Sequence, residues 1–106
     1  MVKEKFYYLG FSYCLGIGPV KFQLLQRRFP DLQSAYMADK TELTVVLGQA
    51  LTEKFMVFRR QFHPEKELEL LRQQHIQVVT QADPFFPPSL LNIPDPPICL
   101  YYKGSW

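Results

Sequence analysis

Cysteine and glycine are scarce in this chain of 106 residues, with two cysteines and five glycines. Cys14 and Cys99 lie far apart in no paired motif, so the chain has no disulfide framework and its thiols read as free and buried in a reducing cytoplasm. Two cysteines and two isolated histidines, His63 and His75, cannot make the paired spacings of a zinc module. No apolar run approaches the ~18 residues of a membrane span. The start, Met1-Val2-Lys3-Glu4-Lys5, mixes charges of both signs with no apolar stretch behind them, unlike a secretory signal. A formal charge of only +2 does not announce a nucleic-acid binder. No nucleophile, base and orienting group occur in a recognisable set, and no phosphate-binding glycine loop follows a strand. The expectation is a protein that is not an enzyme, with no catalytic residues, no cofactor and no metal.

What is present is enough to fold. The chain is 47% hydrophobic and 21% charged, in the range of globular domains. Its length suits one domain, or a small domain and the start of another. Nine bases face five acids through Arg60, while three bases face five acids beyond it. A mildly basic first part and a mildly acidic second part suggest two units in different surroundings.

The first part reads as short helices. Lys5 to Ser12 is aromatic-rich, with Phe6, Leu9 and Tyr13 at helical steps and expected inward. Pro19 stands where proline opens a helix. That helix should turn Val20, Leu24 and Leu25 inward and Lys21, Gln23, Arg27 and Arg28 outward. Asp31 can cap a short helix through Tyr36, and Asp39 or Thr41 the next, Glu42 to Leu47. Leu51, Phe55, Phe58 and Phe62 form an apolar stripe on the longest helix, from about Leu51 to Phe62, with Phe55, Phe58 and Phe62 expected to be buried. Pro64 kinks or restarts the chain into a more polar helix to Gln74, with Leu68 and Leu71 on one face. Ile76 to Thr80 and Ile98 to Tyr102 are strand candidates, separated by a stretch that holds six of the nine prolines. Two strands alone leave open edges through which such a chain would associate.

The motif with the most chemistry is Leu15-Gly16-Ile17-Gly18-Pro19-Val20-Lys21. Two glycines around an aliphatic residue, between helices, are the pattern of a helix-hairpin-helix. Glycines allow a tight turn and close approach, and the amides at the next helix start can cradle a phosphate. Ile17 would plug the core, and Lys21 could reach an adjacent phosphate. The tentative DNA-binding set is Gly16, Ile17, Gly18, Lys21, Arg27 and Arg28. A tight structural connection capped by Gly16 is the other reading. Leu47-Gly48-Gln49-Ala50 is a degenerate second copy, expected only to pack. Arg59 and Arg60 are expected to solvate a helix face.

Taken in order, these pieces resemble the N-terminal part of the DNA-processing protein A family (DprA/Smf). Gly16-Ile17-Gly18-Pro19 is similar to the start of that family's helical domain, and Phe29 with the short helix after it to its Phe-Gly-Ser connection, Pro30 replacing the glycine. Asp83-Pro84-Phe85-Phe86-Pro87-Pro88-Ser89-Leu90 resembles Asp-x-x-Tyr-Pro-x-x-Leu, with Phe86 in place of tyrosine. Asp95-Pro96-Pro97-Ile98-Cys99-Leu100-Tyr101-Tyr102-Lys103-Gly104 resembles Asp-Pro-Pro-x-x-Leu-Tyr-x-x-Gly. The resemblance implies an α+β chain. Residues 1–74 would be a SAM-like or helix-hairpin-helix bundle, and residues 75–106 the first strands of a Rossmann-like domain not completed in this chain. It implies a cytoplasmic, non-catalytic protein of DNA uptake and recombination that binds single-stranded DNA and helps load a RecA-type recombinase. The family's DNA groove and Gly-Ser-Arg motif would lie outside this sequence. A SAM-like module that meets a protein partner, or a helix-hairpin-helix module of a repair protein, are the alternatives.

Overall fold

A computed structural model describes residues 2–103. The helices are α1 (Val2–Tyr13), α2 (Pro19–Arg28), α3 (Leu32–Tyr36), α4 (Lys40–Leu47), α5 (Gln49–Gln61), α6 (Pro64–Gln73) and the single turn α7 (Pro88–Leu91). Strands β1 (Ile76–Thr80) and β2 (Cys99–Lys103) flank α7 in the chain. They pair antiparallel, with Ile76 opposite Lys103, Val78 opposite Tyr101 and Thr80 opposite Cys99. The architecture is α+β, as expected.

Sequence punctuation sets the element boundaries. Asp31 caps α3 by accepting from the Ser34 amide at 2.7 Å, and Asp39 caps α4 by accepting from the Glu42 amide at 2.9 Å. Pro19 and Pro64 open α2 and α6 where their missing N–H groups would go unpaired anyway. Pro64 thus restarts the chain after α5 instead of kinking one helix. Gly48 serves both as the C-cap of α4 and the N-cap of α5, at φ 82° and ψ 163°, a conformation that suits glycine.

Helix α1 is the centre of the packing and meets α3, α6 and β2. Tyr8, Leu9 and Phe11 are buried on different sides of it, whereas Phe6 and Tyr13, expected inward, are half-buried. A helix surrounded on several sides buries more than one stripe, which hides its period. Gly10 makes the crossing with α3 possible: a methyl group there would overlap the Tyr36 ring.

Helix α2 departs from expectation in the face it buries. Phe22 and Leu25 point inward, while Val20 is 54% and Leu24 40% exposed. The short helix has room for one inward stripe, and Phe22, Leu25 and the following Phe29 bury more apolar area than the alternative. Phe22 packs on the rings of Tyr8 and Phe11, with centroids 5.5 and 5.7 Å away.

The stripe of α5 is present but fades along the helix. Phe55 is fully buried and stacked on Phe11, with centroids 5.4 Å apart. Leu51, Phe58 and Phe62 are only half-buried. Phe58 and Phe62 stack at 4.8 Å, and Phe62 leans on Tyr13 at 5.2 Å. Arg59 also departs from the solvated face expected of it. Its guanidinium donates to the carbonyls of Tyr36 at 2.7 Å and Ala38 at 2.9 Å, and lies over the Phe55 ring. It closes the end of α3 onto α5.

The strand pair rests on the helices. Val78 and Cys99 share a small core with Leu9 of α1 and Leu71 of α6. Tyr13 donates to Glu67 at 2.9 Å, tying α1 to α6, and the hydroxyls of Ser12 and Tyr101 meet at 2.7 Å. Burial, and then the Glu67 bond, push the Tyr13 phenol up to about 12.

Candidate nucleic-acid interface

The hairpin of residues 14–18 joins α1 to α2. The Ile17 amide donates to the Cys14 carbonyl at 3.2 Å, closing the turn. Ile17 itself is buried in the main core with Phe11, Phe22 and Phe55, the plug expected of it. The two glycines play different parts. Gly16 sits at φ +99°, where side chains are strained, and a Cβ on it would meet Leu51 Cδ1 at 2.7 Å. Gly18 has φ −100°, open to any residue, and a Cβ there would meet nothing within 4 Å. Glycine at position 18 is therefore not demanded by the backbone; it leaves the ground before α2 bare.

No side chain caps α2. Its first amides, Val20 and Lys21, belong to the helix-start groups that lack intrahelical partners. The positive end of the helix dipole lies in the same place, which makes this terminus attractive to an anion. Lys21 leans away from it toward α4, its Nζ donating to the Val46 carbonyl at 3.5 Å. Lys54 of α5, which no local pattern singles out, brings its positive charge near Cys14. Burial nevertheless holds the Cys14 thiol above its ordinary value.

The six residues of the tentative DNA-binding set do not converge. Gly16, Ile17, Gly18 and Lys21 gather at the start of α2. Arg27 and Arg28 stand in its last turn, ~12–14 Å along the helix from Pro19 at 1.5 Å per residue. Both arginines are exposed, and among the described residues neither makes an ion pair or a side-chain hydrogen bond. The degenerate second connection at Gly48 joins α4 directly to α5, and Leu51 in the first turn of α5 packs against Gly16.

A second irregular segment runs from Thr80 to Pro97 and is much more heavily tied. Asp83 accepts from the Thr80 amide at 2.8 Å and from its hydroxyl at 3.3 Å, and pairs with Lys5 at 3.8 Å. Phe86 is 2% exposed. Gln81 donates to the Pro97 carbonyl at 2.7 Å and accepts from Gln26 of α2 at 3.4 Å. The two proline-rich motifs are thereby joined to each other and to the helices. Among the described residues no three His, Cys, Asp or Glu side chains gather as a metal site, and no helix is long and apolar enough to cross a membrane.

A helical bundle with a bare hairpin, fastened through two proline-rich motifs to a strand pair, is the arrangement expected of the leading part of a DprA/Smf-type chain. The match to known proteins points the same way. The chain is similar to Protein Smf of Synechocystis sp. (strain ATCC 27184 / PCC 6803 / Kazusa), 36% identical over 103 residues. That covers 95% of this chain but 26% of the relative, so the chain spans about a quarter of that protein's length. Over nearly its whole length the sequence is thus similar to a protein of the DprA/Smf family. No family model matches the chain, and no solved structure matches it.

Proposed function

We propose that the chain works as part of a DNA-processing protein of the DprA/Smf kind, which binds single-stranded DNA and helps load a RecA-type recombinase without catalysis. The similarity to Protein Smf across 95% of the chain carries this reading. The strand pair then serves as the entry to a Rossmann-like part in which the principal DNA groove lies, and the protein acts in the cytoplasm. Within this chain, DNA contact falls at the start of α2, at the Val20 and Lys21 amides, with the Lys21 ammonium toward α4 and the Lys54 ammonium near Cys14 as flanking charges. The Asp83 and Phe86 ties argue against a free-standing helix-hairpin-helix repair module, because a bundle alone has no use for them.

Two lysines neutralise at most two phosphates, so the salt slope on single strands should be only about −1.4 in log–log terms. Affinity should sit at the weak end of ~10⁻⁴–10⁻⁶ M. Titrating a labelled oligothymidine with the chain at two salt concentrations tests this. Weak binding that Lys21→Ala and Lys54→Ala each flatten is the expected result. Tight binding indifferent to both substitutions would place the contact elsewhere.

A further inference from the structure

Where the strand pair meets the ends of α1 and α6, the packing leaves a cavity of about 300 Å³, open on one side. Ser12, Tyr13, Leu71, Ile76 and Tyr101 line it. That volume is at the lower end of small-molecule sites. Between Leu71 and Ile76 the chain turns from α6 into β1 at His75, whose φ of 61° is the one positive value at a non-glycine among the described residues. The His75 amide donates to the Arg72 carbonyl at 3.0 Å and closes the end of α6.

Its walls are aliphatic and aromatic, and its polar groups converge at one place. The rings of Tyr13 and Tyr101 lie 6.4 Å apart, tilted by 58°. Tyr101 is 42% exposed, which leaves part of its ring open for stacking. Its hydroxyl meets that of Ser12 at 2.7 Å and accepts from the Cys99 thiol at 3.3 Å. These two bonds use the thiol proton and one hydroxyl proton. One hydroxyl proton and spare lone pairs remain, so the Ser12–Tyr101 pair can both donate to and accept from a ligand. Lys103 stands opposite Ile76 and two residues beyond Tyr101, which places it on the same face of the sheet as both. It is exposed, and no carboxylate pairs with it among the described residues. Glu67 of α6, the carboxylate bonded to a lining residue, accepts from the Tyr13 hydroxyl at 2.9 Å.

We propose that this cavity takes the base of a nucleotide, stacked on Tyr101 with its edge at the Ser12–Tyr101 hydroxyls and its phosphate at Lys103. A nucleobase uses every part of the site, because it has a π-face for the ring and an edge of donors and acceptors for the hydroxyl pair. The hydrocarbon ring of a phenylalanine would cover the hydroxyls and give them no partner, at a cost in free energy. A free nucleotide and a single strand carry the same chemistry. In a strand, neighbouring nucleotides also reach the hairpin, since Tyr13 and Gly18 are at most ~18 Å apart by chain length. The base site goes beyond the hairpin contact and does not depend on it.

Amide shifts of the isotope-labelled full chain, titrated with thymidine monophosphate, an oligothymidine and an abasic strand of the same length, test it. The first two should move the amides of Ser12, Tyr13, Leu71, Ile76 and Tyr101, and the abasic strand should not. Tighter binding of the oligothymidine marks a strand site, and equal affinity a free-nucleotide site. Tyr101→Ala should weaken both about tenfold, and Tyr101→Phe, which keeps the ring, should weaken them less. Lys103→Ala should lower the log–log salt slope of the oligothymidine by about 0.7. If Tyr101→Ala loses the folded spectrum, Ser12→Ala takes its place and should weaken binding through the lost hydroxyl alone. No shift at these amides in millimolar nucleotide would overturn the proposal. So would equal shifts from the abasic strand, the sign of a phosphate patch, or from N-acetylphenylalaninamide, the sign of a peptide site. Shifts at Val20 and Lys21 report the hairpin contact separately, so that either reading fails on its own evidence.

Discussion

The two irregular connections of this chain contrast in a way their sequences do not advertise. Gly16-Ile17-Gly18 looks built for a ligand, and Asp83 to Pro97 looks like rigid, proline-studded coil with room for one helical turn. In the structure the first is held by buried Cys14 and Ile17, by Gly16 against Leu51 and by one turn hydrogen bond, and Gly18 beside them is bare. The second is held by Asp83, by Phe86 and by the Gln26–Gln81–Pro97 chain of contacts. Proline explains the difference. A segment with fixed φ and few free donors gives up little entropy when ordered, so a few well-placed bonds suffice to hold it.

The comparison is broken most directly at Phe86. Phe86→Ala should cost ~3–5 kcal/mol, a large share of a small domain's stability, and urea melts would register it as a lower midpoint. A change below about 1 kcal/mol would mean that the proline-rich segment is no more fastened than the hairpin.

Arg59→Ala tests the bundle between them. It leaves two carbonyls without their charged donor and removes a cation from the Phe55 ring, for a loss of ~1.5–3 kcal/mol. Lys at this position should recover only part of that, since one ammonium does not reproduce the planar fork.

Within the hairpin, the two glycines should separate. Gly16→Ala forces a side chain to φ +99° and against Leu51, at a cost of ~1–2 kcal/mol. Gly18→Ala should stay within ~0.5 kcal/mol, as an unobstructed surface change. Equal losses in thermal melts would show that position 18 is constrained too.

Thr52, next to Leu51 behind the hairpin, is fully buried, and its hydroxyl has no hydrogen-bond partner. Thr52→Val removes that unmatched group and should raise stability by ~1 kcal/mol. A loss on calorimetry would reveal a partner for the hydroxyl.

Alkaline pH should loosen the aromatic centre. Burial pushes both Tyr13 and Tyr36 up to about 12, above the ordinary phenol value near 10. The unfolded chain then releases these protons first, so stability is intact below pH 10 and falls as pH rises from 10 toward 12. Tyr36→Phe should shrink that fall in melts recorded across this window. An unchanged slope would put Tyr36 outside it.

Much of the fold was legible because the elements are punctuated by residues with one evident use. Pro19, Pro64, Asp31, Asp39 and Gly48 mark helix ends, and the β-branched run from Ile76 marks a strand. Orientation was harder. Tyr7, Tyr8, Leu9 and Phe11 crowd α1 so closely that no single period stands out, and in α2 two stripes compete until Phe22 decides. Of the hairpin, the turn at Gly16 and the plug at Ile17 could be read locally. The roles of Arg59 and Lys54 could not, because Arg59 meets carbonyls 23 and 21 residues away and Lys54 faces a turn that only the folded bundle brings near.

Amide hydrogen exchange, resolved residue by residue by NMR, tests the contrast between the two connections in one spectrum series. The account predicts protection approaching that of the core at Thr80, Asp83 and Phe86, whose amides meet Asp83 Oδ2 at 2.8 Å, Thr80 O at 2.9 Å and Asp83 O at 3.2 Å. It predicts fast exchange at Val20 and Lys21, the unpaired amides at the start of α2. Slow exchange at Val20 and Lys21 together with fast exchange at Thr80, Asp83 and Phe86 would contradict it.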